Sequence, residues 1–160
     1  MNSHKTNQSE VLLWSMALPG FGQFLNKKYV KGIVLIALEF IVNVKGKINE
    51  VIMYSFLGEI EQAIRVADYL WLMFYPCLYL FAIWDAYRDA GGAKRPYSYL
   101  PYVFSAYIGT IGVIYSPWFT VYGYYIGPVF LPIFGMVGGF IFGYVLRKMI
   151  LSFRKSKKLD

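Results

Sequence analysis

The chain has 160 residues, of which 58% are hydrophobic, 20% aromatic and only 16% charged, and this composition excludes an ordinary soluble domain. The formal net charge is +7, but the basic residues stand at the ends of apolar segments, as topology signals and anionic-lipid contacts do, and not as nucleic-acid contacts do. The only cysteine is Cys77 and the only histidine is His4, which excludes an internal disulfide, a thiolate or histidine metal site and a Ser-His-Asp triad.

The predicted architecture is an all-α membrane bundle of four transmembrane helices plus an N-terminal half-membrane or re-entrant segment. A cytoplasmic tail (1–10) is followed by one membrane-embedded domain (11–146) and a basic cytoplasmic tail (147–160). Because Pro19-Gly20-Phe21-Gly22 interrupts the first apolar stretch, residues 11–26 are expected to form a half-membrane hairpin or an interfacial helix. The spans are predicted at about 28–44, 69–87, 99–116 and 123–146, lengths that suit a hydrocarbon core about 30 Å thick.

The basic residues also predict the orientation of the chain. All of them fall at one end of the predicted spans except Lys45, Lys47 and Arg65. By the positive-inside rule, both termini are cytoplasmic, and residues 45–68 form an outer connector of amphipathic helical pattern. The predicted location is the cell membrane, with several passes.

Glu39 lies in the middle of the apolar run 32–42. An ionisable group at bilayer depth costs about 2.5 kcal/mol or more, so it normally faces a bundle interior, a wet cavity or a partner. Asn43 lies one helical turn further along the same face. Glu39 and Asn43 are therefore a candidate intramembrane polar site.

Stripes of small residues mark the last two predicted spans. Such stripes allow helix backbones to approach closely, either within one chain or across a homodimer. Pro128 and Pro132 add predicted kinks to the last span. The candidate packing glycines are Gly109, Gly112, Gly135, Gly139 and Gly143.

Two short motifs carry a resemblance to a known family. Residues 18–32 contain a Pro-Gly-Phe-Gly-Gln turn and a Lys-Gly pair entering a helix, and residues 83–90 contain Trp84-Asp85-Ala86. Over roughly residues 15–90 the chain resembles bacterial membrane proteins related to the TM2-domain group. The resemblance implies a small multi-pass membrane protein whose function is mostly unassigned, and it carries over no catalytic residue.

The same motifs predict a clasp between the first turn and the second span. Glycines permit tight turns, and glutamine can bond exposed backbone groups. Asp85 can pair with Arg88 one turn away, or with Lys27, Lys28 or Lys31. The candidate clasp residues are Pro19, Gly20, Gly22, Gln23, Lys31, Asp85 and Arg88.

The C-terminal tail mixes basic and apolar residues and is predicted to lie along the inner leaflet. It could serve topology alone or gather anionic phospholipids. Its basic residues are Arg147, Lys148, Arg154, Lys155, Lys157 and Lys158.

Three functions fit this sequence. The first is a non-enzymatic assembly or accessory protein that contacts itself or a partner membrane protein through its helices. The second is a small transporter or channel with a polar path at Glu39 and Asn43. The third is a lipid-modifying membrane enzyme, although no catalytic residue, metal ligand or cofactor motif was found. The expected partners are the lipid bilayer with its anionic phospholipids and another membrane protein or copy, and no nucleic acid.

Overall fold

The structure, a computed structural model, describes residues 7–156, with side chains through Arg154. This part of the chain is mostly helical, as the all-α prediction requires. The helices are α1 (Gln8–Ala17), α2 (Phe21–Leu25), α3 (Tyr29–Gly46), α4 (Ile48–Phe56), α5 (Ile60–Val66), α6 (Tyr69–Leu72), α7 (Phe74–Asp89), α8 (Leu100–Tyr115) and α9 (Gly127–Ser156), with a 3₁₀ turn at Gly92–Lys94. Strands β1 (Thr120–Val121) and β2 (Tyr124–Tyr125) form one short hairpin.

Within residues 7–156, two helical segments are long and apolar enough to cross a membrane by length and composition. They are Tyr69–Asp89, which comprises α6 and α7, and Gly127–Arg154. The apolar helix α8 is shorter. Helix α3 has 18 residues but includes three charged ones, Lys31, Glu39 and Lys45.

Helix α7 is the centre of the N-terminal part of the fold, where it contacts α1, α2, α3 and α8. Helices α8 and α9 form an antiparallel pair with the most extensive contact in the described part of the chain. Helices α4 and α5 pack against α9. A small apolar core forms at the end of the bundle that contains the α3–α4 connection, from Val42, Ile48, Leu72 and Val113.

The segment predicted as a half-membrane hairpin is two short helices. Helix α1 has ten residues and is therefore about 15 Å long, and α2 has five residues. The turn between them contains Gly20 at φ +104°, in the left-handed region that favours glycine. The predicted outer connector also divides in two, because the chain turns between α4 and α5 at Gly58, where φ is +82°.

The last predicted span has different bounds in the structure. Residues 120–125 form the β hairpin, with Val121 opposite Tyr124, so the helix begins at Gly127 and not at 123. Both hairpin turn residues, Tyr122 and Gly123, have positive φ, as a type I′ turn requires. At the other end α9 continues past 146 to Ser156, so Arg147–Arg154 belongs to the same long helix as the last predicted span.

The two predicted proline kinks differ in their surroundings. Pro128 lies in the first turn of α9, where a proline removes no intrahelical hydrogen bond. A proline at this position therefore requires no kink, and the predicted kinks stay predictions. Pro132 lies inside α9.

Candidate functional site

A buried carboxylate joins three elements at one end of the bundle. Asp85, near the end of α7, has a side chain only 4% exposed. The ammonium of Lys31, in the first turn of α3, lies 2.9 Å from Asp85 Oδ1 and 2.9 Å from Asp89 Oδ2. We call this group the Asp85 cluster, defined by Gln23, Asn26, Lys31, Asp85, Arg88 and Asp89.

Arg88 completes the charge balance of the cluster. Its guanidinium pairs with Asp85 and lies 3.4 Å from Asp89 Oδ1, while it also covers the ring of Trp84 at 4.6 Å from the centroid. Two cations therefore face two carboxylates. Because both carboxylates accept hydrogen bonds from cations, the cluster is suited to holding α3 against α7.

Helix α2 and the residue that caps its C-terminus contribute two neutral donors to the same site. Gln23 is fully buried, and its amide nitrogen donates to the carbonyl of Ala82 at 2.9 Å and to Asp85 Oδ2 at 3.3 Å. Asn26 donates to the carbonyl of Ala86 at 2.8 Å. These bonds fix α2 against the last turns of α7. Within the described chain the Gln23 Oε1 atom is buried without a hydrogen-bond partner.

The glycines of the first motif allow these helices to approach. A Cβ atom at Gly32 of α3 would lie 3.1 Å from the Gly20 carbonyl oxygen, and one at Gly20 would lie 2.8 Å from the Gly32 carbonyl oxygen. Likewise, a Cβ atom at Gly22 would lie 2.8 Å from Ala86 Cβ. The Pro-Gly-Phe-Gly-Gln and Lys-Gly elements of the motif are therefore two sides of one contact.

Pro19, the remaining predicted clasp residue, is fully buried in the turn between α1 and α2. Of the lysines that the sequence offered to Asp85, the structure uses Lys31. Asn26 and Asp89 were not predicted as site residues. Their spacing could have indicated them, since Asn26 follows Gln23 by three positions and Asp89 follows Asp85 by four, which places each pair on one helical face.

Glu39 occupies a different level of the bundle. It lies about 12 Å along α3 from Lys31, is partly buried, and is near Tyr75 in α7. Tyr75 stacks on Tyr79 with a centroid separation of 5.7 Å, and the Tyr79 hydroxyl donates to the Met16 carbonyl at 2.7 Å.

Glu39 and Asn43 do not bond to each other in the structure. The Asn43 amide donates to Asn49 Oδ1 at 3.2 Å. Within the described residues, the hydrogen bonds and ion pairs do not include the Glu39 carboxylate. The two predicted members of the polar site therefore have separate surroundings.

The candidate packing glycines lie in contacts within this chain. A Cβ atom at Gly112 would lie 2.9 Å from Pro132 Cα, one at Gly135 would lie 2.8 Å from the Ile108 carbonyl oxygen, and one at Gly109 would lie 3.3 Å from Pro76 Cβ. Gly139 and Gly143 face the backbone of α8 in the same way.

The basic residues of the C-terminal segment have varied contacts. Arg147 donates from Nε to the carbonyl of Pro96 at 3.0 Å, Lys148 covers the ring of Tyr144, and Arg154 donates to the Tyr97 hydroxyl at 3.1 Å. Lys155 is described only as part of the α9 backbone, and Lys157 and Lys158 lie outside the described residues.

Within residues 7–156, no group of three His, Cys, Asp or Glu side chains is placed to hold a metal ion. The site and fold together define a mostly helical protein with two membrane-length helices and an ion-paired cluster at one end. Comparison of the chain with protein-family models, curated proteins and solved structures gives no match in any of the three. The resemblance to the TM2-domain group therefore stays a prediction.

Proposed function

We propose that the chain is a multi-pass membrane protein in which α3, the α6–α7 segment, α8 and α9 cross the bilayer and α1–α2 enter it only part of the way. The support is the apolar exterior. Only 17% of the apolar window of Gly127–Arg154 is buried, whereas a core helix of a soluble protein is mostly covered. Helix α3 likewise exposes Ile33, Phe40 and Val44.

We place the end with the Asp85 cluster in the cytoplasm of the cell, together with both termini. Support comes from the charges at the helix ends. Lys31, Arg88 and Arg147 all belong to this end, while the opposite end carries Glu59 and Glu61 beside Arg65. By the positive-inside rule, the basic end of the bundle faces the cytoplasm.

Within the membrane, we infer a non-enzymatic assembly or accessory role, and the observation that carries it is the Glu39 carboxylate. It lies near the middle of α3 with no hydrogen-bond donor among the described residues. At bilayer depth a carboxyl group without a partner is costly, so a donor from another helix would lower the free energy of the assembled state. That helix belongs to a second copy or to a partner membrane protein.

The surface offered to the partner is α3, because the glycine faces are already occupied within the chain. Gly135, Gly139 and Gly143 contact α8, so a homodimer through these glycines would require α8 and α9 to separate. Helix α3 instead exposes Ile33, Phe40 and Ile41, and the partly buried Glu39 lies next to Phe40 at the border of this exposed surface.

The test is native mass spectrometry of the protein extracted gently from its own membrane, with Glu39→Leu and Glu39→Gln variants. The wild type is expected to carry a stoichiometric partner chain or a second copy. Glu39→Leu should lose the complex, because leucine can accept no hydrogen bond, whereas Glu39→Gln should keep part of it. Glu50→Gln, which removes an exposed carboxylate, is the matched control.

Two results would contradict the assembly role. One is a lone wild-type chain under conditions that keep other membrane complexes intact. The other is equal loss of the complex in Glu39→Leu and Glu50→Gln, which would make the effect one of net charge.

A small transporter or channel is the second candidate function, and the observation that favours it is the line of polar groups beside Glu39. Tyr75 and Tyr79 stack at this level of the bundle, and Tyr79 reaches the Met16 carbonyl of α1. A lone wild-type chain that carries a defined small solute, lost in Glu39→Gln, would favour transport over assembly. Loss of solute flux with intact assembly would have the same meaning.

A further inference from the structure

We propose that the chain holds one anionic phospholipid at its basic end, with the phosphate headgroup in a cavity lined by cations and an acyl chain in an adjoining apolar cleft. This inference rests on the proposed membrane location. The inference adds a specific ligand site to that location. The residues of this site come from separate elements, and a role in setting membrane orientation would not require them to lie together.

The headgroup site is a cavity of about 530 Å³ between the α7–α8 connection and the end of α9, which we call the basic cavity. Its lining includes Lys94, Arg95 and Arg147 and no carboxylate. Tyr87 and Ser98 add hydroxyl groups that can donate to phosphate oxygens. Three cations around one cavity are the chemistry that recognises a phosphate-bearing headgroup.

The positive charge of the basic cavity is not neutralised by the chain around it. Within the described residues, the ion pairs use Lys31, Arg65 and Arg88 and none of the three cavity cations. Arg147 is held in place through Nε, which donates to the Pro96 carbonyl, and this leaves its two terminal nitrogens for a ligand.

An apolar cleft of about 430 Å³ adjoins the basic cavity, and Tyr102 and Phe140 line both. The cleft runs between α1, α7, α8 and α9 and is lined by Leu12, Ile83 and Val137 among others. Two of its polar side chains already have partners, since Ser105 donates to the Met136 carbonyl and Tyr79 to the Met16 carbonyl. The cleft therefore offers an apolar surface, as an acyl chain requires.

The combination indicates a lipid and not a soluble anion. A free phosphate would use the cations but leave the apolar cleft empty, whereas a phospholipid satisfies both parts at once. The bilayer also supplies such a molecule at the level of the predicted cytoplasmic boundary.

The test uses the full chain in a mild detergent, with binding of added phosphatidylglycerol and phosphatidylcholine followed by native mass spectrometry. The wild type is expected to bind one phosphatidylglycerol in preference to phosphatidylcholine. The combined variant Lys94→Gln, Arg95→Gln, Arg147→Gln should bind phosphatidylglycerol about 100-fold more weakly, because it removes three basic side chains that each strengthen anionic-lipid binding about fivefold. The control, Lys27→Gln, Lys28→Gln, Lys148→Gln, removes the same charge from the same end outside the cavity and should change binding little.

A second variant tests the acyl-chain cleft. Val137 is exposed along one side of the cleft, so Val137→Trp fills it without disturbing the core. This variant should weaken phosphatidylglycerol binding but leave binding of glycerol phosphate unchanged.

Three outcomes would overturn the proposal. They are equal loss in the cavity variant and the control, equal binding of the two lipids by the wild type, and full displacement of phosphatidylglycerol by glycerol phosphate, which would indicate a soluble-anion site. Carbonate extraction of wild-type membranes separates this result from the proposed function. A protein released by carbonate would refute membrane insertion, whereas a retained protein without lipid preference would refute the lipid site alone.

Discussion

At the residue scale, the Asp85 cluster surrounds a buried carboxylate with three side chains that donate hydrogen bonds to it. Asp85 is almost fully buried. Its carboxylate pairs with the cations Lys31 and Arg88 and accepts a hydrogen bond from the neutral amide of Gln23. The two cations remain 43% and 41% exposed, which weakens their pairing relative to a fully buried pair. The cluster therefore stabilises the fold chiefly because it gives the buried carboxylate of Asp85 hydrogen-bond and ion-pair partners.

Asp85→Asn should lower the free energy of unfolding by about 2 kcal/mol, because it leaves Lys31 and Arg88 facing a neutral side chain that is buried. Unfolding by added denaturing detergent in mixed micelles would measure this. The control is Glu61→Gln, which breaks the exposed pair with Arg65 and should cost only about 0.3 kcal/mol. Equal costs for the two variants would mean that burial of Asp85 does not matter to stability.

At the element scale, the α8–α9 contact depends on which glycines face the partner helix. Gly139 and Gly138 are adjacent in sequence but have opposite surroundings. A Cβ atom at Gly139 would lie 2.8 Å from Ser105 Cα, whereas one at Gly138 would meet no atom within 4 Å. The close approach of the helices therefore needs glycine at 139 and not at 138.

Gly139→Ala should destabilise the protein by about 2 kcal/mol, because the two backbones must move apart to admit one methyl group. Gly138→Ala should leave the stability unchanged or raise it slightly, since alanine favours helix more than glycine does. Thermal unfolding of both variants in the same detergent would compare them. A loss of stability in Gly138→Ala that matched that in Gly139→Ala would contradict this account of the contact.

At the scale of the whole molecule, the charges and the apolar surfaces are arranged at different levels. Lys31, Arg88 and Arg147 belong to one end, and exposed apolar side chains such as Phe40 and Val137 cover the middle. A bilayer would cover that middle and leave the basic end in contact with its anionic surface. This separation is the physical basis of the proposed orientation.

Labelling of single cysteines in intact cells would test that orientation. Cys77 is free and exposed, so it must first be replaced by serine. A cysteine at Lys157 should stay unlabelled by an impermeant reagent until the cells are opened, whereas a cysteine at Glu61 should react from outside. Labelling of the Lys157→Cys variant in intact cells would overturn the orientation.

The sequence by itself predicts the order of the helices, because apolar runs and their charged ends depend on local composition. The sequence also indicates that Asp85 can pair with Arg88 or Lys31, because it shows the charge of each residue and the helical spacing of Asp85 and Arg88. The sequence does not predict the start of the last helix correctly, because residues 120–125 form a hairpin. The turn of this hairpin needs positive φ angles at Tyr122 and Gly123, and the mainly apolar run around them gives little sign of it.

Only the tertiary structure decides which of the possible partners meet. Lys31 is the lysine that reaches Asp85, 54 positions further along the chain. Gly20 and Gly32 allow α3 to pack close to the turn before α2, beside this contact. The same holds for Lys94, Arg95 and Arg147, which line one cavity only because α9 returns beside the α7–α8 connection. Spacing along one helix fixes neighbours on that helix, whereas contacts between helices follow from how closely their backbones can pack.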